Sequence, residues 1–210
     1  MWNLKASRFF LIVPSLLFFS CASSYKPVKL DRFSYFDAQV SNDVEVSYAH
    51  NIQYASRNKW YTKKERKFGM IAVAVRVENR SLETIELSPA NLRVFGPNGS
   101  ARRLYTPMEY GEKVKQRTGR HLLHALYGPW VVSWETDASG NVDTNVFFLP
   151  VGAVIGIGNA IRASKANRIN IETLDRNAIW NKVVDPGEIV YGTLLMAGTH
   201  GDDLTFVYRK

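Results

Sequence analysis

The stretch Met70-Ile-Ala-Val-Ala-Val-Arg-Val-Glu78 is the part of the sequence that decides the fold. Its β-branched residues occupy every second position and therefore share one face: Ile71, Val73, Val75 and Val77. The positions between them are Met70, Ala72, Ala74 and Arg76. Strict alternation without Gly or Pro predicts a β-strand, and this is the strongest strand signal in the chain.

Shorter strand signals lie on both sides of this stretch. Val44, Val46 and Tyr48 alternate with polar residues and predict a half-buried strand. Further short strands are predicted at residues 84–87, 92–95, 189–196 and 204–208, with a tight turn at Gly96-Pro-Asn-Gly99. Strands about ten residues apart, separated by turn residues, are typical of a β-sandwich. No helical pattern interrupts them before residue 108.

Two segments of these predicted strands carry a resemblance to a known family. In residues 75–95 a strand ends in Asn79-Arg-Ser81 and leads to a loop that contains Pro89. Residues 184–196 place Pro186-Gly187 before a strand, with Gly192 shortly after an apolar pair. Both segments resemble the immunoglobulin-like extracytoplasmic domains of bacterial lipoproteins. The resemblance implies a sandwich that binds or spaces, with no catalytic residues to carry over.

The first residues of the chain have the pattern of an export signal. Lys5 and Arg8 precede an apolar run at residues 9–19, and no acidic residue occurs before Asp31. The run is about half the length of the ~20 apolar residues that a membrane-spanning helix needs. We therefore predict a signal peptide at residues 1–20. Cys21, the single cysteine of the chain, follows it directly.

The segment Leu17-Phe-Phe-Ser-Cys21 resembles the lipobox of bacterial lipoproteins, although Phe18 stands where the commonest pattern has Leu. The resemblance implies that Cys21 receives a diacylglycerol before cleavage and anchors the protein. Cys21 is not followed by Asp, which resembles the sorting pattern of lipoproteins destined for the outer membrane. We therefore expect a protein that is anchored there and faces the periplasm. The alternative is an ordinary signal peptide that leaves Cys21 as a stray thiol. Residues 21–32 carry no periodicity and are predicted to form a flexible tether.

The net charge bears on the class of partner. The formal charge of +8 falls to +6 once Lys5 and Arg8 are removed with the signal peptide. An exported protein does not meet nucleic acid, so this basic balance favours anionic lipid head groups. The alternative is that the charge serves solubility alone.

One basic stretch also contains aromatic residues. Trp60, Tyr61, Lys63 and Lys64 lie in residues 57–67, where basic residues outnumber the single acid. We predict these four as candidate contacts with a membrane or a protein partner. The alternative is a solvated hairpin loop in which Trp60 covers the edge of the core.

Residues 108–180 have no counterpart in a plain sandwich and are predicted to be an α-helical insertion between its two parts, 33–107 and 181–210. Apolar residues 122–134 and 146–161 flank a polar linker, so these segments either pair as a hairpin or lie apart. Gly152 and Gly156 form a small-xxx-small pattern that suits close helix approach. The two interpretations are an oligomerising or re-entrant membrane hairpin and a buried helical hairpin. A helix with a basic face is predicted at 159–178.

A search for catalytic chemistry finds little. The sequence lacks a Gly-x-Ser-x-Gly elbow, a phosphate loop and a His-Glu-x-x-His motif. His121 and His124 have a ligand-like spacing, but neighbouring arginines would repel a cation, so we predict no metal and no cofactor. His200 with Asp202 and Asp203 is a conceivable acid–base cluster, although paired acids at a hairpin tip usually form turns.

The sequence therefore predicts a mainly β, immunoglobulin-like sandwich with a helical insertion. We expect a non-enzymatic lipoprotein of the cell envelope with a binding or scaffolding role. Its expected partners are the membrane, through the N-terminal lipid, and an envelope protein or a second copy, with no nucleic acid. The alternatives are a lipid- or glycan-binding protein that uses the apolar insertion and an oligomerising membrane hairpin.

Overall fold

The computed structural model describes residues 22–123, 130–136, 139–140, 142–148 and 151–209. These residues divide into two compact units. The larger unit contains residues 24–116 and those from Lys165 onward, and the smaller unit contains the described part of residues 117–164 with Ala22 and Ser23. The predicted signal peptide and Cys21 lie outside the described residues.

Strands and helices take similar shares of the described chain. The strands are β1 (Phe36–Ser41), β2 (Val44–Ala49), β3 (Met70–Asn79), β4 (Ile85–Leu87), β5 (Leu92–Phe95), β6 (Trp130–Thr136), β7 (Val142–Phe148), β8 (Lys182–Val184), β9 (Ile189–Ala197) and β10 (Thr205–Tyr208). The α-helices are α1 (Ile52–Ala55), α2 (Lys59–Phe68), α3 (Pro107–Val114), α4 (Thr118–Leu122) and α5 (Val151–Arg176).

A four-stranded antiparallel sheet is the centre of the larger unit. Its strand order is β1-β2-β3-β9, so β3 is an interior strand with a partner on each side. Met70 pairs with Ala197 at one end of β3, and Glu78 pairs with Ile189 near the other. Two short antiparallel pairs, β4-β8 and β5-β10, complete the β-structure of this unit.

The two faces of β3 contribute to different cores. Its β-branched face, with Val73 and Val75 at the centre, packs in one cluster with residues of the two short pairs, such as Leu87 and Phe206. This arrangement gives two β layers around an apolar core.

The alanine face of β3 lies beneath helices. Ala72 and Ala74 share a second cluster with Ile52 of α1, Tyr61 of α2 and Leu174 of α5. Because alanine side chains are short, helix backbones can approach the sheet closely at these positions. The larger unit is therefore a sheet with strands packed on one face and helices on the other.

Asn79 joins the two segments that carry the family resemblance. Its side-chain nitrogen donates to the carbonyls of Glu83 and Val184, at 2.7 and 2.9 Å. Its side-chain oxygen accepts from the backbone N–H and the hydroxyl of Ser81, at 3.0 and 2.7 Å. Asn79 is fully buried with every hydrogen-bonding group of its amide satisfied, so it fixes the turn after β3 against the end of β8.

The predicted β-structure is present as antiparallel sheets, but the chain is mixed α/β and not mainly β. The expectation that no helix precedes residue 108 is wrong, because α1 and α2 lie between β2 and β3. The inward face of α2 consists of Tyr61, Thr62 and Glu65. Because this face is made largely of polar residue types, α2 lacks the apolar periodicity from which a helix is predicted.

The smaller unit corrects the interpretation of the apolar insertion. Residues 130–134 and 146–148 of these segments do pair in a hairpin, but it is the β-hairpin β6-β7, with Ser133 opposite Asn145, and not a pair of helices. The rest of the second segment, from Val151, is the start of α5. The strand β6 contains two Trp and two Val, and β7 contains two Val and two Phe, and these residue types favour strands over helices.

The helix predicted at 159–178 is confirmed as part of α5, which begins earlier, at Val151. α5 contributes its residues before Lys165 to the smaller unit and the rest to the larger. Among the helices of the described chain, none combines the length and apolarity that a membrane crossing requires.

Candidate functional site

The residues that follow the predicted anchor are packed into the larger unit. Tyr25 is 7% exposed and Val28 is 5% exposed, and both belong to the same buried cluster as Tyr61. The rings of Tyr25 and Tyr61 meet edge to face at 5.2 Å. The prediction of a flexible tether over 21–32 is therefore wrong around Tyr25 and Val28, because the side chains of these two residues pack in the core. We call residues 24–33 the N-terminal segment.

Asn58 fastens the N-terminal segment to the start of α2. Its Oδ1 accepts from the backbone N–H of Lys26 and its Nδ2 donates to the carbonyl of Lys26, both at 2.8 Å. Asn58 is buried and occupies the N-cap position of α2, yet its side chain makes no capping bond. The amide that would ordinarily cap a helix instead pairs with Lys26 as a neighbouring strand would.

Beside the hydrogen bonds between Asn58 and Lys26 lies a pocket of about 520 Å³ with a basic lining. Its walls carry four cationic side chains, Lys26, Lys29, Arg32 and Arg57, together with Pro27, Phe33, Ala55 and Ser56. No described acidic residue lines the pocket, and none of the four cations forms an ion pair with any residue that the structure describes. We call this cavity the basic pocket. Such a concentration of like charge suits an anionic ligand.

The predicted aromatic–basic contacts lie on the helix α2 and not in a hairpin loop. Lys63 is exposed, and the Nζ of Lys64 lies over the ring of Trp60, 5.0 Å from its centroid. Trp60 packs against the buried cluster, as the alternative interpretation expects. Tyr61 does not share this surface: it is fully buried, and its hydroxyl donates to Asn167 at 3.1 Å. Its place in the core removes it from any contact with a partner.

The other predicted contact residues lie in the smaller unit. Gly152 and Gly156 are in the first turns of α5, and Gly156 is buried. Apolar side chains close to them are exposed, with Val154 at 71% and Ile161 at 64%. This half of α5 therefore presents an apolar surface.

A second cluster, inside the larger unit, is built around Glu65 of α2. The carboxyl group is fully buried, and its Oε1 accepts from the Ala72 N–H at 2.8 Å and from the Tyr110 hydroxyl at 2.7 Å. Burial raises the pKa of Glu65 to about 8 in spite of these two hydrogen bonds. The group is therefore mostly protonated at neutral pH.

His200 faces Glu65 from the loop between β9 and β10. Its Nε2 lies 3.6 Å from Glu65 Oε2, and its Nδ1 contacts the Oδ1 of Asn51. Burial, with the positive charge of Arg66 and nearby His50, lowers the pKa of His200, so its ring is neutral at pH 7. A cavity of about 340 Å³ adjoins the ring, lined by Arg66, Gly198, Thr199 and His200.

The arrangement of His200 does not suit general-base catalysis. Both ring nitrogens point at protein groups, Nδ1 at Asn51 and Nε2 at Glu65, so neither is presented to a molecule in the adjoining cavity. From the sequence, Asp202 was a conceivable member of an acid–base cluster with His200, with turn formation as the more usual role of paired acids. Asp202 instead accepts hydrogen bonds from Thr199 and Arg102, which is the turn-forming role of the alternative interpretation. Glu65 and His200 are therefore best described as a buried neutral pair.

The metal interpretation has little to rest on. Within the described ranges, no three His, Cys, Asp or Glu side chains are grouped closely enough to hold a metal ion. His124, the second residue of the predicted pair, lies outside the described residues.

Sequence reasoning missed Asn58, Arg57 and Glu65, whose roles depend on residues far away in the chain. It also missed the three cations of the N-terminal segment, although their spacing of three residues was a usable signal. Comparison with family models, curated proteins and solved structures returns no match for this chain.

Proposed function

We propose that this protein is a lipoprotein of the bacterial cell envelope, anchored through Cys21 in the outer membrane and facing the periplasm, with a binding or scaffolding role and no catalytic activity. The observation that supports this proposal best is the packing of Tyr25 and Val28 into the core. The folded unit begins within a few residues of the position at which the signal sequence would be removed.

Chain length limits how far the basic pocket can lie from such an anchor. Lys26 lines the pocket and follows Cys21 by five residues. Five fully extended residues span at most about 18 Å. An acylated Cys21 would therefore keep the pocket close to the lipid head groups, where anionic groups are concentrated.

We also propose that the β layers of the larger unit are a divergent immunoglobulin-like sandwich. The two β layers around one core and the hydrogen bonds of Asn79 between the two resembling segments support this proposal. An experimental structure that superimposes both layers on immunoglobulin-like domains with the same strand connections would support it, whereas different connections would refute it.

The anchor is tested by the mass of the N-terminal peptide. The peptide is isolated from membrane fractions of cells that produce the wild type or Cys21→Ser. We expect an acylated Cys21 in the wild type, and loss of both acylation and membrane retention in the variant. An unmodified N-terminus in a protein that stays in the membrane would contradict the proposal.

A second candidate function uses the exposed apolar surface of α5. Val154, Ile157 and Ile161 are all at least half exposed, and Gly158 between them leaves room for a close neighbour. This surface favours self-association or binding of a lipid or glycan. Val154→Ser/Ile161→Ser should reduce cross-linked oligomers in membranes if copies associate, or reduce co-purifying lipid if the surface binds lipid. Unchanged oligomers together with unchanged lipid content would eliminate this candidate.

A further inference from the structure

The four cationic residues of the basic pocket are exposed, and their charges are concentrated around one open cavity. Lys26, Lys29, Arg32 and Arg57 surround one concave space, and no acidic residue of the described chain lines it. Like charges that share a concavity repel one another, and the surrounding low-dielectric walls focus their field. A bound anion would relieve this repulsion.

The backbone of Arg57 supports a specific role for its side chain. Arg57 has a φ of 62°, in the left-handed region. The other described non-glycine residues with positive φ are all Asn or Asp: Asp37, Asn42, Asp43, Asn51 and Asn181. Asn and Asp tolerate this conformation, and Gly adopts it freely, whereas residues with long side chains rarely adopt it. An arginine at this position is therefore unfavourable locally, which points to a use for its guanidinium.

The pocket is also held in place by the fold. The backbone of Lys26 is fixed on both sides by Asn58, and the N–H of Arg57 donates to the carbonyl of Tyr54 at 2.8 Å. Cations on fixed backbones lose less entropy when they bind than cations on a free tether would.

The remaining lining residues indicate what kind of anion fits. Ser56 offers a hydroxyl group, and Phe33 and Pro27 offer apolar surface beside the charges. The volume of about 520 Å³ lies within the range of small-molecule sites. Arg and Lys together with a hydroxyl are typical partners of phosphate oxygens, and the apolar wall suits a carbon substituent.

We propose that the basic pocket binds a phosphate ester, with Arg57 and Arg32 as its principal anion-binding residues. The phosphate could belong to the head group of an anionic lipid or to a soluble phosphorylated molecule. The lipid source deepens the proposed function, because it rests on the anchor that keeps the pocket near the membrane. Binding of the phosphate group itself does not depend on the anchor.

The proposal is tested with the purified full chain in a non-ionic detergent, by calorimetry at fixed ionic strength. The two probes are inorganic phosphate and short-chain phosphatidylglycerol. The test variant is Arg32→Gln/Arg57→Asn, in which Asn suits the left-handed backbone while the charge is lost. The matched control is Arg93→Gln/Lys113→Gln, which removes the same charge from two exposed positions of the larger unit outside the pocket.

We expect the Arg32→Gln/Arg57→Asn variant to lose at least tenfold in affinity and the control to change by less than twofold. Binding of phosphatidylglycerol alone would assign the site to lipid head groups, and binding of both probes would assign it to soluble phosphates as well. Absence of binding to either probe, or an equal loss in the control, would overturn the proposal. An acylated Cys21 with no phosphate binding would refute this inference alone, whereas phosphate binding with an unmodified Cys21 would refute the anchor alone.

Discussion

The Nε2 atom of His200 lies 3.6 Å from Oε2 of Glu65, and neither atom makes a hydrogen bond with the described part of the chain. The two groups therefore stabilise each other little, and each is neutral because burial opposes its charged form. Their opposite responses to pH predict how the stability of the protein changes with pH.

Glu65 should destabilise the protein as the pH rises. Its pKa is about 8 in the folded chain and near 4.5 when unfolded, so between these values the folded chain holds a proton that the unfolded chain has released. The free energy of unfolding then falls with rising pH across this window, by up to about 5 kcal/mol. Urea unfolding at several pH values should show this fall in the wild type and not in Glu65→Gln. Glu86→Gln, which changes an exposed carboxylate, should retain it.

His50 and His200 should destabilise the protein at the acidic end. Burial lowers the pKa of both below the ordinary 6.5, so the unfolded chain takes up protons more readily as the pH falls through this value. The wild type should therefore lose stability on both sides of a maximum, and Glu65→Gln should lose it only on the acidic side. A Glu65→Gln variant that still weakens between pH 6.5 and 8 would contradict the assignment of the alkaline loss to Glu65.

Asn58→Ala should loosen the N-terminal segment. The variant leaves the N–H and carbonyl of Lys26 without their partner, which costs about 1–3 kcal/mol of stability. Hydrogen exchange of the Lys26 amide should accelerate, and Asn58→Asp should fall between the two because it keeps only the acceptor. Lys59→Ala, next along the chain and exposed, is the control. Unchanged exchange at Lys26 in Asn58→Ala would show that core packing alone holds the segment.

Gln39→Ala should uncover the edge of β10. The side-chain amide of Gln39 donates to the carbonyl of Leu204 and accepts from the N–H of Phe206, each at 2.7 Å, and so occupies part of an unpaired edge. Loss of both bonds should cost about 1–3 kcal/mol and promote edge-to-edge association. Urea unfolding and light scattering at rising concentration measure the two effects. Val40→Thr, on the same strand, should change neither.

Two glycines should respond to alanine in opposite directions. A Cβ at Gly192 would lie 2.7 Å from the backbone Cα of Ile179, so Gly192→Ala should destabilise the protein by about 1–3 kcal/mol. A Cβ at Gly158 in α5 meets nothing within 4 Å, so Gly158→Ala should stabilise its helix by up to about 1 kcal/mol. Thermal unfolding monitored by circular dichroism compares the two. A tolerated Gly192→Ala would mean that the contact with Ile179 relaxes easily.

The sequence predicts the alternating strands of the larger unit well because alternation is a local property, whereas it assigns the segments of β6 and β7 to helices and misses β1 and β8. Leu92–Phe95 is found at the predicted bounds, and β3 extends the predicted strand by one residue. Gly192 was noted from the sequence only as part of a weak family resemblance. The structure gives a physical reason for a glycine at this position, because a Cβ there would clash with Ile179. Such strands need no knowledge of distant residues to be recognised.

The candidate site is less predictable because its residues depend on distant partners. Glu65 is an ordinary helical glutamate until Ala72 and Tyr110 donate to it, and Asn58 is an ordinary N-cap until Lys26 binds its amide. Thirty-two residues separate Lys26 from Asn58, and no periodicity reports that pairing. The flexible tether was predicted for the same reason: Tyr25 and Val28 become core residues only when the helices that cover them are in place.

The packing of the N-terminal segment determines how the protein would encounter other molecules. If Cys21 carries acyl chains, only four residues of chain lead from it to Tyr25, the first buried side chain of the larger unit, a distance of at most about 14 Å. A folded unit attached through so short a segment cannot move far from its lipid. It would therefore diffuse in the plane of the membrane together with the lipid. Its encounters would then depend on lateral diffusion and on the surface density of whatever it binds.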